Sequence, residues 1–110
     1  MDIATQTAGD SLIVELNGRF DPTSQPELDQ RLLDLTEQVA NRILFNFASV
    51  NYINSAGLRV LVMVAKQMRS RGGDLGIVCL NEDVAEIFEV SGFSTIFSIF
   101  GSIDEALATL

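Results

Sequence analysis

Residues 42–79 read RILFNFASVNYINSAGLRVLVMVAKQMRSRGGDLGIVC, and this stretch decides the fold. Its first part, residues 42–47, is apolar on consecutive positions, which is typical of a strand covered on both faces. The segment that follows is more polar and predicts a loop through Val50 and Ile53. A buried strand followed by a loop is therefore expected here.

A helix follows the loop, and both of its ends are marked in the sequence. Asn54 or Ser55 can cap its start, because their side-chain oxygens accept hydrogen bonds from the free N–H groups of a first turn. The helix is expected to run to about Arg71, where Gly72-Gly73 tolerates the left-handed dihedrals that end a helix. Residues 74–79 predict the next strand. Strands that alternate with helices indicate a largely parallel sheet.

The remaining elements are marked by strand or helix periodicity between Gly, Pro and capping residues. In chain order they begin with a strand at 3–7, a turn at Gly9-Asp10, a strand at 11–17 and a loop at 18–22. A helix follows from about Gln25 to Val39, with Pro26 in its first turn and Ser24 or Gln25 as cap. After residue 79 come a helix at 82–90 capped by Asn81, a short strand within 93–100 centred on Phe97, and a helix at 103–110 capped by Ser102. The order predicts one α/β domain over residues 1–110, with a mixed sheet of four or five strands and about four helices, mainly on one face.

Composition limits the classes of function. The chain of 110 residues is 47% apolar, which is enough for a packed core without disulfides or metal. A net charge of −8, spread along the chain, argues against nucleic acid as a partner, because such binding needs a basic footprint. The single cysteine, Cys79, lies in an apolar stretch and is expected to be a buried hydrophobe rather than a reactive thiol.

The residue type most used for acid–base catalysis is missing. The chain has no histidine, so it lacks the usual general base and the commonest metal ligand, and a Ser-His-Asp triad is impossible. It also has no Gly-x-x-x-x-Gly-Lys loop for phosphates. We therefore predict no catalytic residue, no metal ligand and no cofactor, and a small enzyme or nucleotide-binding protein is disfavoured.

The sequence also carries an expectation about location. Its first residues, Met1-Asp2-Ile3, have neither a basic start nor an apolar run, so no signal peptide is expected. The longest apolar stretch, residues 60–65, is far too short to span a bilayer. A cytoplasmic protein without membrane insertion is the prediction.

Ser55 stands where a strand–loop segment gives way to a helix. Free N–H groups and the helix dipole favour negative charge there, so a phosphate on Ser55 would be stabilised by about 1 kcal/mol. Gly57 removes a Cβ nearby and lets another backbone or a nucleotide come close. The alternative is that Ser55 is simply a helix cap, and the two roles are compatible.

Three separated features resemble STAS domains of the bacterial anti-sigma factor antagonist family. The first is similar to the family's Gly-x-x-Asp loop and reads Leu16-Asn17-Gly18-Arg19-Phe20-Asp21. The second is similar to its Asp-Ser-Ser/Thr/Ala-Gly-Leu signature and reads Ile53-Asn54-Ser55-Ala56-Gly57-Leu58. The third is similar to its later turns and helix and consists of Gly72-Gly73-Asp74-Leu75, Val84 to Phe88 and Ser91-Gly92-Phe93. The resemblance covers nearly the whole chain, in order.

The resemblance implies a partner-switching role. In this family the unphosphorylated antagonist binds a serine kinase that is also an anti-sigma factor, phosphorylation breaks the complex, and a serine phosphatase resets it. Ser55 occupies the phosphoacceptor position. The alternative is a non-switching STAS module of a transporter or stress-sensing complex. Two positions depart from the family pattern: Asn54 and Asn46 stand where aspartates are usual, and both changes are expected to remove negative charge near Ser55.

The predicted partner surface extends from Ser55 along the second helix. Arg59, Met63 and Lys66 share a stripe at helical spacing, which is either a solvated basic face or a docking surface, and Met63 is expected to be exposed. Asp21 either forms a turn before a proline or lies beside Ser55 in the interface, and Phe20 is either exposed there or packed inward. The predicted partner-binding residues are Phe20, Asp21, Asn54, Ser55, Ala56, Gly57, Arg59, Met63 and Lys66.

Overall fold

The structure, a computed structural model, describes residues 1–38 and 41–109. Its elements are β1 (Asp2–Ala8), β2 (Ser11–Phe20), α1 (Leu28–Thr36), β3 (Arg42–Ile53), α2 (Ser55–Ser70), β4 (Asp74–Val78), α3 (Glu82–Val90), a 3₁₀ turn (Phe93–Thr95), β5 (Ser98–Phe100) and α4 (Ile103–Ala108).

The strands form one sheet whose spatial order, β1-β2-β3-β4-β5, follows the chain. β1 and β2 are an antiparallel hairpin, and β2, β3, β4 and β5 are successively parallel, each joined to the next across a helix. This confirms the predicted mixed α/β sheet.

Alternation along the strands divides the core into two layers. On β3, Ile43 and Phe45 face the main core with α1, α2 and α3, whereas Leu44 faces a smaller core with Ala106 of α4. The prediction that the helices lie mainly on one face is confirmed. The carboxyl ends of β2 and β3 lead into α1 and α2 of the main layer.

Strands β2 and β3 are longer than expected, and the predicted loops at 18–22 and after residue 47 are wrong for most of their length. Gly18 pairs with Val50, and Phe20 pairs with Ile53. Register shifts within this extension allow Phe47 and Val50, three positions apart, both to be buried. A bulged strand loses strict alternation, which is why its sequence resembles a loop.

The start of α1 also differs from the prediction. The helix spans Leu28–Thr36, so Pro26 precedes it, and neither Ser24 nor Gln25 caps it. Both residues instead form a turn on Asp21, whose carbonyl accepts the N–H of Gln25 at 3.1 Å. Because Ser24 and Gln25 form the hydrogen bonds of this turn, they do not cap the helix.

Residues 93–100 do not form one strand centred on Phe97. Phe93 and Phe97 stack at 6.2 Å between centroids, and Phe97 also meets Phe88 edge-on at 6.0 Å. This packing requires a 3₁₀ turn, and β5 begins only after Phe97. The predicted ends of two helices, Val39 and Leu110, lie outside the described residues.

Cys79 is half-buried rather than buried, and it directly follows β4 in an unusual conformation. Its φ is 63°, in the left-handed region that residues other than glycine rarely adopt. The side chain packs at the edge of the smaller core. Cys79 therefore marks the turn from β4 towards α3 and is not a core residue.

Candidate functional site

The site is built around the first turn of α2, which begins where β3 ends. Asn54 has extended dihedrals (φ −107°, ψ 178°), and its side-chain oxygen accepts the N–H of Gly57 at 2.9 Å. Asn54 is therefore the cap, and this decides between the two candidates left open by the sequence. Ser55 occupies the first helical position, where its side chain is exposed.

Asp21 lies beside this turn and is linked to it. The amide nitrogen of Asn54 donates to the Asp21 carboxylate at 2.7 Å. The same carboxylate accepts the backbone N–H of Thr23 at 3.1 Å and the hydroxyls of Thr23 and Ser24. Asp21 thus forms the predicted local turn and is hydrogen-bonded to Asn54, the residue before Ser55, while its role in a partner interface stays a prediction.

These hydrogen bonds keep Asp21 charged. The hydroxyl of Thr23 contributes most, and together with Asn54 and Ser24 it lowers the pKa of Asp21 from 3.8 to about 2. The asparagine at position 54 matters here, because an amide can cap the helix with its oxygen and bind the carboxylate with its nitrogen at the same time. The departure from the family's aspartate therefore has a structural use.

Phe20 and Gly57 lie beneath the surface rather than in it. The Phe20 side chain is fully buried and stacks on Phe47 at 6.0 Å, so it cannot contact a partner directly. Gly57 is buried against it: a Cβ there would lie 2.6 Å from the Phe20 ring and 2.8 Å from the Phe20 carbonyl oxygen. The backbone that approaches Gly57 belongs to this chain, not to a ligand.

One open cleft flanks the first turn of α2 on the side of α1. We call it the α1-side cleft; its volume is about 290 Å³, and it is lined by Pro22, Thr23, Asp29, Ala56, Arg59, Val60 and Met63. Met63 is 41% exposed, which confirms the prediction for it. Lys66 is also exposed, one turn further along the helix. The structure therefore brings the predicted stripe to the surface beside Ala56.

A larger open cleft lies on the opposite side of the same turn, and sequence reasoning missed it. This α3 cleft has a volume of about 430 Å³ and is lined by Ile53, Asn54, Ser55, Leu58, Asp83, Glu86, Ile87, Val90 and Ser91. Ser55 thus lines the α3 cleft, and its neighbour Ala56 lines the α1-side cleft. A signal was present in the sequence: Val90 falls outside the buried stripe of Val84 and Phe88.

Asn46, the other departure from the family pattern, has a different place. It faces the α4 side of the sheet and lines a cavity of about 100 Å³ with Glu15 and Ile103. Its side chain accepts the N–H of Ala48 at 3.0 Å. The structure does not place it beside Ser55, so the expectation that it alters the charge there is wrong.

Two further features bear on what the site can do. In the part of the chain that the structure describes, no group of three or more His, Cys, Asp and Glu residues is arranged to hold a metal ion. Across those same residues, no helix combines the length and the apolar character needed to cross a membrane. What remains is an exposed hydroxyl at a helix start between two surface clefts.

The chain matches a family model and curated relatives over most of its length. The model of the STAS domain family matches residues 2–106. BtrV of Bordetella bronchiseptica is 36% identical over 97 residues, which are 88% of this chain and 84% of BtrV. The anti-sigma-B factor antagonist of Bacillus subtilis is 33% identical over 86 residues, 78% of each protein.

Solved structures share the fold. An anti-sigma factor antagonist from Mycobacterium paratuberculosis matches with a TM-score of 0.86 at 18% identity, covering 98% of this chain and 92% of the other. The anti-sigma factor antagonist SpoIIAA from Bacillus, in its unphosphorylated form, matches with a TM-score of 0.70 at 12% identity, covering 98% of this chain and 96% of the other. SpoIIAA has also been solved in a phosphorylated form. With its family model, its relatives and its fold in agreement, the chain belongs to the STAS domain family, among relatives named anti-sigma factor antagonists.

Proposed function

We propose that this protein is a partner-switching regulator. Unphosphorylated, it binds a serine kinase that also acts as an anti-sigma factor, and phosphorylation of Ser55 releases it. One observation carries the proposal: Asn54 alone caps α2, which leaves the Ser55 hydroxyl exposed at the first helical position. A phosphate can therefore be added without removing the cap. The names of the relatives support an anti-sigma factor as the partner.

The partner surface lies on Ser55 and the α1-side cleft. Its exposed or half-exposed members are Asp21, Asn54, Ala56, Arg59, Met63 and Lys66, while Phe20 and Gly57 hold it in place from below. Met63 supplies an adaptable apolar contact, and Arg59 and Lys66 favour an acidic partner surface.

Electrostatics explain why phosphorylation would dissociate such a complex. A phosphate adds a charge of about −1.5 to −2 at neutral pH. It would stand close to the ionised Asp21 and would face the acidic partner surface that the basic stripe selects. Desolvation of the phosphate adds to this repulsion. A difference in binding free energy of about 3 kcal/mol weakens binding more than a hundredfold.

The remaining parts of the proposal follow from this assignment. The protein is a regulator rather than an enzyme, and ATP is bound by the kinase. A serine phosphatase restores the unphosphorylated form. The net charge of −8 disfavours nucleic acid as a direct partner, and a cytoplasmic location, predicted from the sequence, belongs to the same proposal.

The proposal is tested with each kinase of this class that the same genome encodes. The chain is incubated with kinase and ATP, the phosphate is mapped by mass spectrometry, and binding is measured for wild type, Ser55→Ala and Ser55→Asp. Ser49→Asp is the matched control, because it adds the same charge at another exposed serine.

We expect phosphate on Ser55, unchanged binding of Ser55→Ala, and at least about tenfold weaker binding of Ser55→Asp alone. Phosphate on Ser11, Ser49 or Ser91 would contradict the proposal. Equal binding of Ser55→Asp and wild type would favour the alternative, a non-switching STAS module of a transporter or stress-sensing complex.

A further inference from the structure

The α3 cleft has an apolar floor that the rest of the molecule leaves open. Ile53 and Leu58, both buried, form the base of the cleft, Ile87 is half-buried beside them, and Val90 stands at its edge. Val90 is 83% exposed, about twice the fraction of Met63 in the other cleft (41%). A β-branched side chain so exposed at the mouth of an apolar cleft is typical of a surface that is covered by a partner.

The rim of this cleft is acidic. Asp83 and Glu86 line it, and the other acids of α3 are Glu82 and Glu89, with no basic residue in the helix. Acids in the first turn, Glu82 and Asp83, stabilise a helix through its dipole, but Glu86 and Glu89 lie beyond that turn. Over residues 1–38 and 41–109 the ion pair is Arg42–Asp74, and none involves α3. The carboxylates of the rim are thus available to a cation.

We propose that the α3 cleft binds a short segment of a partner protein that carries an apolar side chain beside an arginine or lysine. The apolar side chain would cover the floor between Ile87 and Val90, and the cation would lie against Asp83 or Glu86. The α1-side cleft suits this segment less well, because Arg59 lines it beside one acid, Asp29, whereas two acids and no base line the α3 cleft. The two clefts therefore differ in the charge that they present to a partner segment.

Ser55 couples this cleft to the switch, and this step rests on the proposed phosphorylation of Ser55. Since Ser55 lines the α3 cleft, a phosphate there adds about −1.5 to −2 charges to a rim that already carries two carboxylates. A cationic segment would be held more tightly, by about fivefold for one added and partly exposed ion pair. Phosphorylation would thus weaken binding on one side of α2 and strengthen it on the other.

The test uses a library of random short peptides selected for binding to the full-length chain. Affinities of the selected peptides are then measured for wild type, Val90→Ser and Glu86→Lys, with Met63→Ser as the matched control on the other cleft. Val90, Glu86 and Met63 are exposed, so these changes leave the core intact. A chain made with phosphoserine at position 55 during its synthesis needs no kinase, so the result does not depend on finding one.

We expect selected peptides with an aliphatic or aromatic residue next to Arg or Lys, and about tenfold weaker binding to Val90→Ser and to Glu86→Lys but not to Met63→Ser. Failure to select any peptide, enrichment of acidic peptides, or equal loss with Met63→Ser would overturn the proposed cleft. Equal or weaker binding to the phosphoserine chain would overturn its coupling to Ser55. Neither result depends on whether a kinase is released by phosphorylation.

Discussion

The two clefts beside the start of α2 differ in charge and in how they are built. The α1-side cleft carries Arg59 and Met63, and one of its walls is the turn that Asp21 ties to Asn54. The α3 cleft is apolar at its floor and acidic at its rim, and it lies between α3 and the first turn of α2. The comparison teaches that the two sides of one helix start can present different charges, one acid and one base on the α1 side and two acids without a base on the α3 side.

The difference also has a geometric cause. Because β2 and β3 extend together to Phe20 and Ile53, they bring the loop with Asp21 and the start of α2 to the same end of the sheet. Gly57 then allows α2 to lie directly on Phe20. Both clefts depend on this contact, so the predictions below begin with it.

The largest expected effect is that of Gly57→Ala, which disturbs the contact between α2 and Phe20 on which both clefts depend. The added Cβ would lie 2.8 Å from the backbone oxygen of Phe20, so α2 or the end of β2 must shift. We expect the free energy of unfolding to fall by about 2 kcal/mol, measured by chemical denaturation. Gly101→Ala is the control: its Cβ would meet the flexible end of Glu105 at 3.2 Å, and little change is expected. Equal stability of the two variants would show that α2 does not need this close approach.

Asn54→Asp should break the hydrogen bond between residue 54 and Asp21 at the start of α2. A second carboxylate would face that of Asp21, where the amide now donates at 2.7 Å, and the repulsion raises the pKa of the pair in the folded state. A group whose pKa is raised by folding stabilises the folded state at low pH, and this stability is lost as pH increases. The variant is therefore expected to lose about 1 to 2 kcal/mol relative to wild type between about pH 4 and pH 7.

Asn54→Ala is the control for that experiment. It removes the cap and the hydrogen bond to Asp21 but adds no charge, so it should cost about 1 kcal/mol without the loss towards neutral pH. Denaturation curves at several pH values distinguish the two variants. Parallel pH profiles would mean that Asn54 serves only as a cap.

Charge reversal sharpens the comparison directly. In the proposed complex with the kinase, Arg59→Glu should weaken binding by about fivefold, and more at low salt, because it replaces the base that lines the α1-side cleft with an acid. Glu86→Lys should leave that affinity nearly unchanged, since it lies in the α3 cleft. Titration calorimetry at two ionic strengths measures both. If both reversals weaken the complex equally, the kinase covers both clefts.

The smallest expected effect concerns Asp21 itself. Its pKa in the folded protein, about 2, is below the ordinary value of 3.8, so its contribution to stability is present above the ordinary value and is lost as pH falls through about 2. Asp21→Asn should flatten this acid limb of the stability profile, whereas Asp2→Asn, which removes an exposed carboxylate in β1, should not. An unchanged acid limb in Asp21→Asn would show that these hydrogen bonds do not favour the carboxylate.

Most of the fold could be predicted from the sequence because its signals are local. Helix α2 begins at its asparagine cap, and α3 and α4 begin after Asn81 and Ser102 as expected. The errors fell where a long-range contact overrides a local pattern. Polar residues of β3 beyond Phe47 read as a loop, yet pairing with β2 makes them a strand. Likewise, Ser24 and Gln25 could cap α1 but bind at Asp21.

For the site, the sequence by itself determined the position of Ser55 at a helix start and the exposed basic stripe with Met63, because helical spacing and capping depend on near neighbours. Only the tertiary structure decided that Phe20 and Gly57 lie beneath the surface, that Asn54 bridges to Asp21, and that Val90 opens a second cleft beside Ser55. These features join residues that are far apart in the chain, and their contacts exist only once the sheet and helices have packed.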